Sequence, residues 1–261
     1  MSDTAAGLSG RHALVTGASR GIGAAIAAAL AADGVRVSLV GRDAARLADV
    51  SAELGGADRA VPIVADVTEA SSVRAAFATA RQRLGPVQIL VNNAGQATSA
   101  KFTDTDEALW NRLIGVNLTG TYLCTREAIA DMLQAGSGRI VNIASIAGLR
   151  GAAYVSAYVA SKHAVIGLTR ALALEYATRN ITVNAVCPGY TDTDMVRQAI
   201  DNIKAKTGRS ESEVLANLTA GNPQRRLITP AEVSAAVLWL CRPGTESVTG
   251  QSIVIAGGEV T

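Results

Sequence analysis

The stretch HALVTGASRGIGAAIAAALAADG (12–34) decides the fold of this chain. It opens with a short apolar run typical of a buried strand and closes with an Ala-, Ile- and Leu-rich segment ending at Gly34. Gly17, Gly21 and Gly23 lie between the two, spaced as G-x-x-x-G-x-G. Glycines at such a junction let the backbone approach a diphosphate, and a helix N-terminus directs N–H groups at negative charge. We therefore predict a strand, a phosphate-binding turn and a helix; the alternative is a tight turn that serves packing only.

The same rhythm of strand and helix continues along the chain. Apolar runs predict strands at 12–15, 35–40, 60–64, 88–91, 139–143, 181–186 and 248–255. Amphipathic segments separate them, which predicts an α/β fold with a parallel sheet and helices on both faces. The run Cys187-Pro188-Gly189 is expected to break the sixth strand.

The rhythm stops at about 191–226, a polar stretch with two short helical patterns. Because it follows the sixth strand at the mouth of the expected cleft, we interpret it as a small lid over the substrate. A passive surface excursion or an oligomer contact are the alternatives. No repeat or linker divides the chain, so residues 1–261 are expected to form a single domain.

Composition limits the function classes. The 261 residues are 49% hydrophobic and 18% charged, with a net charge of +2 and no basic cluster of the kind that binds nucleic acid. No apolar run reaches the ~18 residues of a membrane span, and the N-terminal residues do not resemble a secretory signal. The three cysteines are widely spaced, as expected of core residues in a reducing compartment. We predict a cytoplasmic protein with no membrane, nucleic-acid or metal partner.

A second stretch, SIAGLRGAAYVSAYVASK (145–162), carries the candidate chemistry. Tyr158 and Lys162 are four residues apart, so they share one face of a helix, where an ammonium can lower the pKa of a phenol. Ser145 follows a predicted strand and could bring its hydroxyl to the same place. Such a group can protonate or deprotonate an oxygen; the alternative is a solvent-exposed helix face.

Together these segments resemble the short-chain dehydrogenase/reductase family over essentially the whole chain, with similarity to 3-oxoacyl and polyketide ketoreductases. The residues that carry the resemblance are TGASRGIG (16–23), Asp66-Val67, NNAG (92–95), Asn117, Ser145, Tyr158, Lys162, Pro188-Gly189 and Thr193. The resemblance implies a Rossmann-type, doubly wound sheet of seven strands, a nicotinamide dinucleotide cofactor and a homotetramer.

The resemblance also implies which residues bind the cofactor. Asp66 and Val67 are expected to hold the adenine, 93–95 to form the cofactor floor, and Thr193 to contact the diphosphate and carboxamide side. The full predicted set is Gly17, Ser19, Arg20, Gly21, Ile22, Gly23, Arg42, Asp66, Val67, Asn93, Ala94, Gly95, Tyr158, Lys162, Pro188, Gly189, Thr191 and Thr193. Thr191 departs from the Val or Ile usual in the family.

The end of the second strand indicates which dinucleotide is bound. NAD-specific relatives usually carry an acidic residue there for the ribose 2′-hydroxyl, whereas this chain has Gly41 followed by Arg42, with Arg20 in the glycine turn. Two guanidiniums suit a 2′-phosphate. We predict NADP(H). The alternative is NAD, with Asp43 binding the ribose and both arginines solvated.

The predicted reaction interconverts a ketone and a secondary alcohol by hydride transfer. Tyr158 is the expected acid/base and Lys162 lowers its pKa, while Ser145 orients the substrate oxygen. By the resemblance, Lys162 also holds the nicotinamide ribose and Asn117 holds a water in a proton relay. A catalytically silent NADP-binding sensor is the alternative from another class.

The substrate is less closely defined by the sequence. Predicted substrate-binding residues are Ser145, Ala152, Tyr154, Tyr158, Tyr190 and Met195. These and their neighbours are mostly apolar, which favours a hydrophobic small molecule, either a β-ketoacyl thioester or an aryl or alicyclic ketone.

Overall fold

The computed structural model describes residues 7–260. In this range seven strands form one parallel sheet in the order β3-β2-β1-β4-β5-β6-β7. The strands are β1 His12–Thr16, β2 Arg36–Gly41, β3 Ala60–Val64, β4 Ile89–Asn92, β5 Gly138–Ile143, β6 Ile181–Pro188 and β7 Ser252–Ile255. The seven-stranded, doubly wound, Rossmann-type sheet predicted from the sequence is confirmed.

Helices cover both faces of the sheet. They are α1 Gly21–Ala32, α2 Ala44–Glu53, α3 Ala70–Leu84, α4 Glu107–Ile114, α5 Gly120–Ala135, α6 Ser156–Tyr176, α7 Asp194–Thr207, α8 Glu211–Leu218 and α9 Pro230–Cys241. Alternation along each strand divides the core: Ala13 and Val15 pack on the face that holds α1 and α9, and Leu14 packs on the face that holds α3 and α5. Strand order reverses between β1 and β4, where such sheets bind ligands at the carboxyl ends of the strands.

Two strand boundaries differ from the sequence prediction by more than one residue. Strand β6 continues through Cys187 and Pro188, because β5 has ended opposite Val186 and these last residues pair only with β7. Proline is tolerated there since its missing N–H faces no partner strand. Strand β7 begins at Ser252 and not at 248, because the Asn184 side chain binds the Val248 carbonyl (2.7 Å) and the Gln251 N–H (3.0 Å) and keeps 248–251 out of the regular strand conformation.

The region at 191–226 contains α7 and α8, close to the two helical patterns expected there. Helix α8 begins with a reciprocal cap in which the Ser210 hydroxyl accepts from the Glu213 N–H and the Glu213 carboxylate accepts from the Ser210 N–H. Among the described residues, no helix is long and apolar enough to cross a bilayer. The three cysteines are buried and unpaired, as expected.

His12 gives the fold a pH dependence. Its Nδ1 donates to the Gly85 carbonyl (2.8 Å), which leaves Nε2 to accept from the Ser38 hydroxyl (2.9 Å). Burial lowers the pKa of His12 below its ordinary value of 6.5, so the folded chain prefers the neutral ring. Below about pH 6.5 the unfolded chain therefore binds a proton that the folded chain does not. As the pH falls from this value toward the lower pKa of the folded state, the free energy of unfolding should decrease.

Urea unfolding of the wild type and of His12→Gln between pH 5 and 7.5 measures this effect. The wild type should lose stability toward pH 5 with a steeper slope than His12→Gln, whereas His163→Gln, on the exposed face of α6, should keep the wild-type slope. Equal slopes for all three proteins would show that His12 does not titrate with unfolding.

Candidate active site

The glycine turn between β1 and α1 is shaped for a close approach to a ligand. Gly17 and Gly21 have φ of +65° and +56°, which favours glycine, and a Cβ on Gly23 would lie 2.2 Å from the Gly17 carbonyl oxygen. Among the described residues, no side chain caps the N-terminus of α1. The first N–H groups of α1 are thus left for an anion, and the turn fits a dinucleotide diphosphate.

Asn93 fixes this turn to β4. Its side-chain Nδ2 donates to the carbonyls of Thr16 (2.9 Å) and Gly17 (3.1 Å), and the Thr16 hydroxyl accepts from the N–H groups of Asn93 and Ala94 (both 3.0 Å). The Asn93 side chain therefore anchors the glycine turn to the end of β4.

Polar residues of the predicted adenine site line an open cavity. The cavity has a volume of ≈ 330 Å³ and is lined in part by Arg42, Asp66, Thr68 and Gln96. The Asp66 carboxylate accepts from the Thr68 N–H (2.9 Å) and hydroxyl (2.7 Å), and the N–H bond is the main reason that the pKa of Asp66 is lowered. Asp66 is thus held ionised, and Val67 beside it is buried.

The two arginines predicted to share one phosphate have different partners here. Arg42 Nη1 lies 3.9 Å from Asp66 Oδ2, whereas Arg20 Nη1 lies 3.4 Å from Asp194 Oδ2 in the first turn of α7. Each exposed guanidinium therefore lies beside a different carboxylate, Arg20 beside Asp194 and Arg42 beside Asp66. Asp43, the alternative ribose ligand, caps α2 by accepting from the Arg46 N–H (3.1 Å).

Asn117 lies in a π-helical turn, Gly115–Thr119, that interrupts the helix between α4 and α5. Its Oδ1 accepts from the Gln96 N–H (2.8 Å), and its Nδ2 donates to the Gln96 carbonyl and the Ser161 hydroxyl (both 3.0 Å). The Ser161 hydroxyl in turn donates to the Tyr158 carbonyl (2.7 Å). Gln96 and Ser161 are thus parts of the site that the sequence reasoning missed.

Lys162 and Tyr158 lie on one face of α6, as their spacing predicts. The Lys162 ammonium is buried, donates to the Ile143 carbonyl at the end of β5 (2.8 Å) and lies 5.7 Å from the centroid of the Tyr158 ring. A Cβ on Gly95 would lie 3.6 Å from Lys162 Nζ and 3.2 Å from Asn117 Oδ1. Asn117, Tyr158 and Lys162 therefore meet beside the loop that follows β4.

The expected lowering of the Tyr158 pKa is wrong for this structure. Burial of the phenol raises its pKa, which hydrogen bonding to Ser145 only partly offsets. Burial also lowers the pKa of Lys162 to about 8. The four-residue spacing anticipated the contact between the two side chains but not the loss of water around them, which disfavours a phenolate and an ammonium alike.

Ser145 and the other predicted substrate residues lie at the mouth of this cleft. Ser145 follows β5, and its hydroxyl accepts from the Ala147 N–H (3.1 Å). Tyr154, Tyr190 and Met195 are exposed large side chains, and Ala152 is also exposed. The pKa of Tyr158 is raised chiefly by loss of solvent around its phenol, and the neighbouring Tyr190 adds to the rise.

The remaining predicted cofactor residues belong to the turns around the cleft. The Thr191 hydroxyl donates to the Gly189 carbonyl (3.1 Å), and the Thr193 hydroxyl donates to the Thr191 carbonyl (3.2 Å). A Cβ on Gly21 would lie 3.2 Å from Thr193 Cγ2, so the start of α7 faces the glycine turn. Pro188 ends β6, and Ser19 and Ile22 are half-buried in and beside the glycine turn.

An ion pair not anticipated from the sequence joins two edges of the cleft. The Arg150 guanidinium, in the segment between Ser145 and Tyr158, pairs with the Glu259 carboxylate, whose side chain is 4% exposed. Gly189 and Gly221 pack against the same carboxylate. Among the described residues, no group of three or more His, Cys, Asp or Glu side chains is placed to hold a metal ion.

Comparison with known proteins places these features in context. A family model for short chain dehydrogenases matches residues 11–204. The chain is 43% identical to a granaticin polyketide synthase putative ketoacyl reductase of Streptomyces violaceoruber, over 94% of this chain and 92% of that protein. It is 40% identical to a 2-(S)-hydroxypropyl-CoM dehydrogenase of Xanthobacter autotrophicus, covering 94% of each.

The fold also matches a solved structure. A variant of the actinorhodin polyketide ketoreductase, crystallised with NADPH, superposes with a TM-score of 0.91 at 38% identity, covering 95% of this chain and 97% of that chain.

Proposed function

Because the chain belongs to the short-chain dehydrogenase/reductase family, we propose that it is an NADP(H)-dependent ketoreductase that interconverts a ketone and a secondary alcohol. The observation that carries this proposal is the meeting of Tyr158, Lys162 and Asn117 beside Gly95, next to a glycine turn whose N–H groups suit a diphosphate. The same residues disfavour a silent dinucleotide sensor, since such a protein needs no phenol held beside a buried ammonium.

The roles of the chain's own residues follow from their positions. The N–H groups at the start of α1 hold the diphosphate, and Asp66 faces the adenine side. The bound nicotinamide supplies or accepts the hydride at the substrate carbon. Ser145 donates a hydrogen bond that orients the substrate oxygen, and Tyr158 transfers its phenolic proton to that oxygen during reduction.

Lys162 and Asn117 support the proton donor. The Lys162 ammonium is anchored to the Ile143 carbonyl, so its position beside the Tyr158 ring is fixed, and its charge favours the phenolate that proton transfer leaves behind. Asn117 organises the backbone beneath the site through Gln96 and Ser161. We also propose a water relay from Asn117 to Lys162, since Asn117 Oδ1 and Lys162 Nζ both lie close to Gly95.

The substrate we propose is a hydrophobic ketone, either a β-ketoacyl thioester or an aryl or alicyclic ketone. Exposed Tyr154, Tyr190 and Met195 at the cleft mouth support an apolar substrate, and the polyketide relatives support the first alternative. The helices at 191–226 would act as the lid.

We also propose a cytoplasmic homotetramer. Exposed apolar side chains on the outer helices, such as Leu174 and Trp239, and the half-buried edge strand β7 support self-association.

The cofactor choice has a direct test. Two guanidiniums near the 2′-position should make kcat/KM about 10- to 100-fold higher with NADPH than with NADH, because charge-assisted bonds are each among the stronger polar contacts. Initial rates with both cofactors over a panel of β-ketoesters, decalones and aryl ketones measure this ratio. Arg42→Ala should reduce the ratio by lowering the NADPH rate alone.

An equal or higher kcat/KM with NADH would instead support the NAD-dependent alternative, although the capping role of Asp43 disfavours it. Dinucleotide binding without turnover of any ketone or alcohol in the panel would favour the sensor.

A further inference from the structure

The Asp194 carboxylate pairs with two guanidiniums, one from the glycine turn and one from α2. Asp194 Oδ2 lies 3.4 Å from Arg20 Nη1 and 3.3 Å from Arg46 Nη1. Arg20 immediately precedes α1, Arg46 lies in the first turn of α2, and Asp194 opens α7. The pairs therefore connect the cofactor side of the sheet to the start of the region at 191–226.

Arg46 is placed to serve the same ligand as Arg42. It lies four residues after Arg42, in the first turn of the helix that follows β2, and the end of β2 is where this fold distinguishes a ribose hydroxyl from a ribose phosphate. Asp43 Oδ2 lies 3.5 Å from Arg46 Nε, so the two Nη groups of Arg46 remain available for another partner. In this structure that partner is Asp194, whose Oδ2 accepts from Arg46 Nη1.

The ion pairs of Asp194 with Arg20 and Arg46 are exposed, so another anion can replace the carboxylate. The side chains of Arg20, Arg46 and Asp194 are 60%, 48% and 57% exposed, and exposed ion pairs contribute little to stability. A phosphate dianion offers three oxygens and about twice the charge of one carboxylate, so it binds two guanidiniums more strongly than Asp194 does.

Resting on the proposed preference for NADP(H), we propose that Asp194 is the resident counter-ion of the 2′-phosphate site, that Arg46 is a further guanidinium of that site, and that the 2′-phosphate displaces Asp194 from Arg20 and Arg46. The chain thus carries an internal competitor for this phosphate, and removing the competitor should tighten binding of phosphate-bearing nucleotides only.

Calorimetric titration of the full-length protein with NADP⁺, NAD⁺ and 2′,5′-ADP tests the proposal without any turnover. Asp194→Asn should lower the Kd for NADP⁺ and 2′,5′-ADP by about three- to tenfold at low salt, since it removes two weak competing pairs, and should change the Kd for NAD⁺ less than twofold. The gain should shrink at 0.5 M salt as the charges are screened.

Asp192→Asn is the matched control. Asp192 lies two residues away and pairs with Arg197 (2.9 Å), so its loss should leave all three affinities unchanged. Arg46→Gln should weaken NADP⁺ about tenfold, and Asp194→Asn should add less in that background than in the wild type.

Equal tightening of NAD⁺ and NADP⁺ by Asp194→Asn, or no tightening of either, would overturn the proposal, as would an Arg46→Gln variant with wild-type affinity for 2′,5′-ADP. The wild-type titrations separate this from the cofactor prediction. A wild type that binds NAD⁺ as tightly as NADP⁺ overturns both, whereas a wild type that prefers NADP⁺ with unresponsive variants overturns only the role of Asp194.

Discussion

Replacement of Tyr158 by Phe should lower kcat for ketone reduction by about 10²- to 10⁴-fold, the range that a positioned proton donor contributes. The change removes one phenolic oxygen and leaves the ring that packs 5.7 Å from the Lys162 ammonium. Folding and dinucleotide binding should therefore persist. The measurement is single-turnover reduction with saturating NADPH, together with the Kd for NADP⁺.

Tyr176→Phe is the control for this prediction. Tyr176 ends the same helix, 18 residues and about 27 Å from Tyr158, so it has no access to the cleft. Its variant should retain wild-type kcat. If Tyr158→Phe bound NADP⁺ normally and kept more than about a tenth of the wild-type rate, another group would have to be the proton donor.

The raised pKa of Tyr158 bears on the direction of the reaction. In the proposed mechanism, a phenol whose pKa is raised stays protonated near neutral pH and is ready to act as an acid, which favours carbonyl reduction. Alcohol oxidation needs the phenolate, which the Lys162 charge favours. Because the Lys162 pKa is lowered to about 8, that support is lost as the pH rises through this value in the free enzyme.

The sheet and its order of elements could be predicted because the signals are local. Continuous apolar runs mark strands that are buried on both faces, and small or polar turn residues mark where they end. The two wrong boundaries depended on distant partners. The Asn184 side chain keeps 248–251 out of the regular strand conformation, and the end of β5 opposite Val186 lets Pro188 remain in β6. Neither partner can be read from the residues at the boundary itself.

The same distinction holds in the site. Tyr158 and Lys162 could be paired from the sequence, because their proximity depends only on the pitch of one helix. Their pKa values could not, because desolvation depends on everything that packs around them. The partners of Asn117 and the bridge from Asp194 to Arg46 join residues 44 and 148 positions apart, and only the folded sheet brings them together.

Gly23→Ala should have the largest effect on stability of any single added methyl group in the cofactor site. The new Cβ would lie 2.2 Å from the Gly17 carbonyl oxygen and 2.5 Å from Asn93 Nδ2. The first is a backbone atom and the second is held by two hydrogen bonds, so neither can shift without a loss of stability. We expect the free energy of unfolding to fall by about 3 kcal/mol, the upper part of the range for overpacking. The displaced turn should also lose affinity for NADP⁺ at least about tenfold, since its N–H groups no longer converge on the diphosphate.

Gly167→Ala isolates the general effect of adding a methyl group to a glycine. Gly167 lies on the exposed face of α6, and an ideal Cβ there meets no heavy atom within 4 Å. Alanine in a helix interior is about 0.5–1 kcal/mol more favourable than glycine, so this variant should be slightly more stable than the wild type and bind NADP⁺ equally well. If urea unfolding shows that Gly23→Ala lowers the free energy of unfolding and Gly167→Ala raises it, then glycine is required at position 23 for the close approach of Gly17 and Asn93. A Gly23→Ala protein with wild-type stability and affinity would show that the turn can open without losing its ligand, and the tight contact between Gly17, Gly23 and Asn93 would then not be what shapes the diphosphate site.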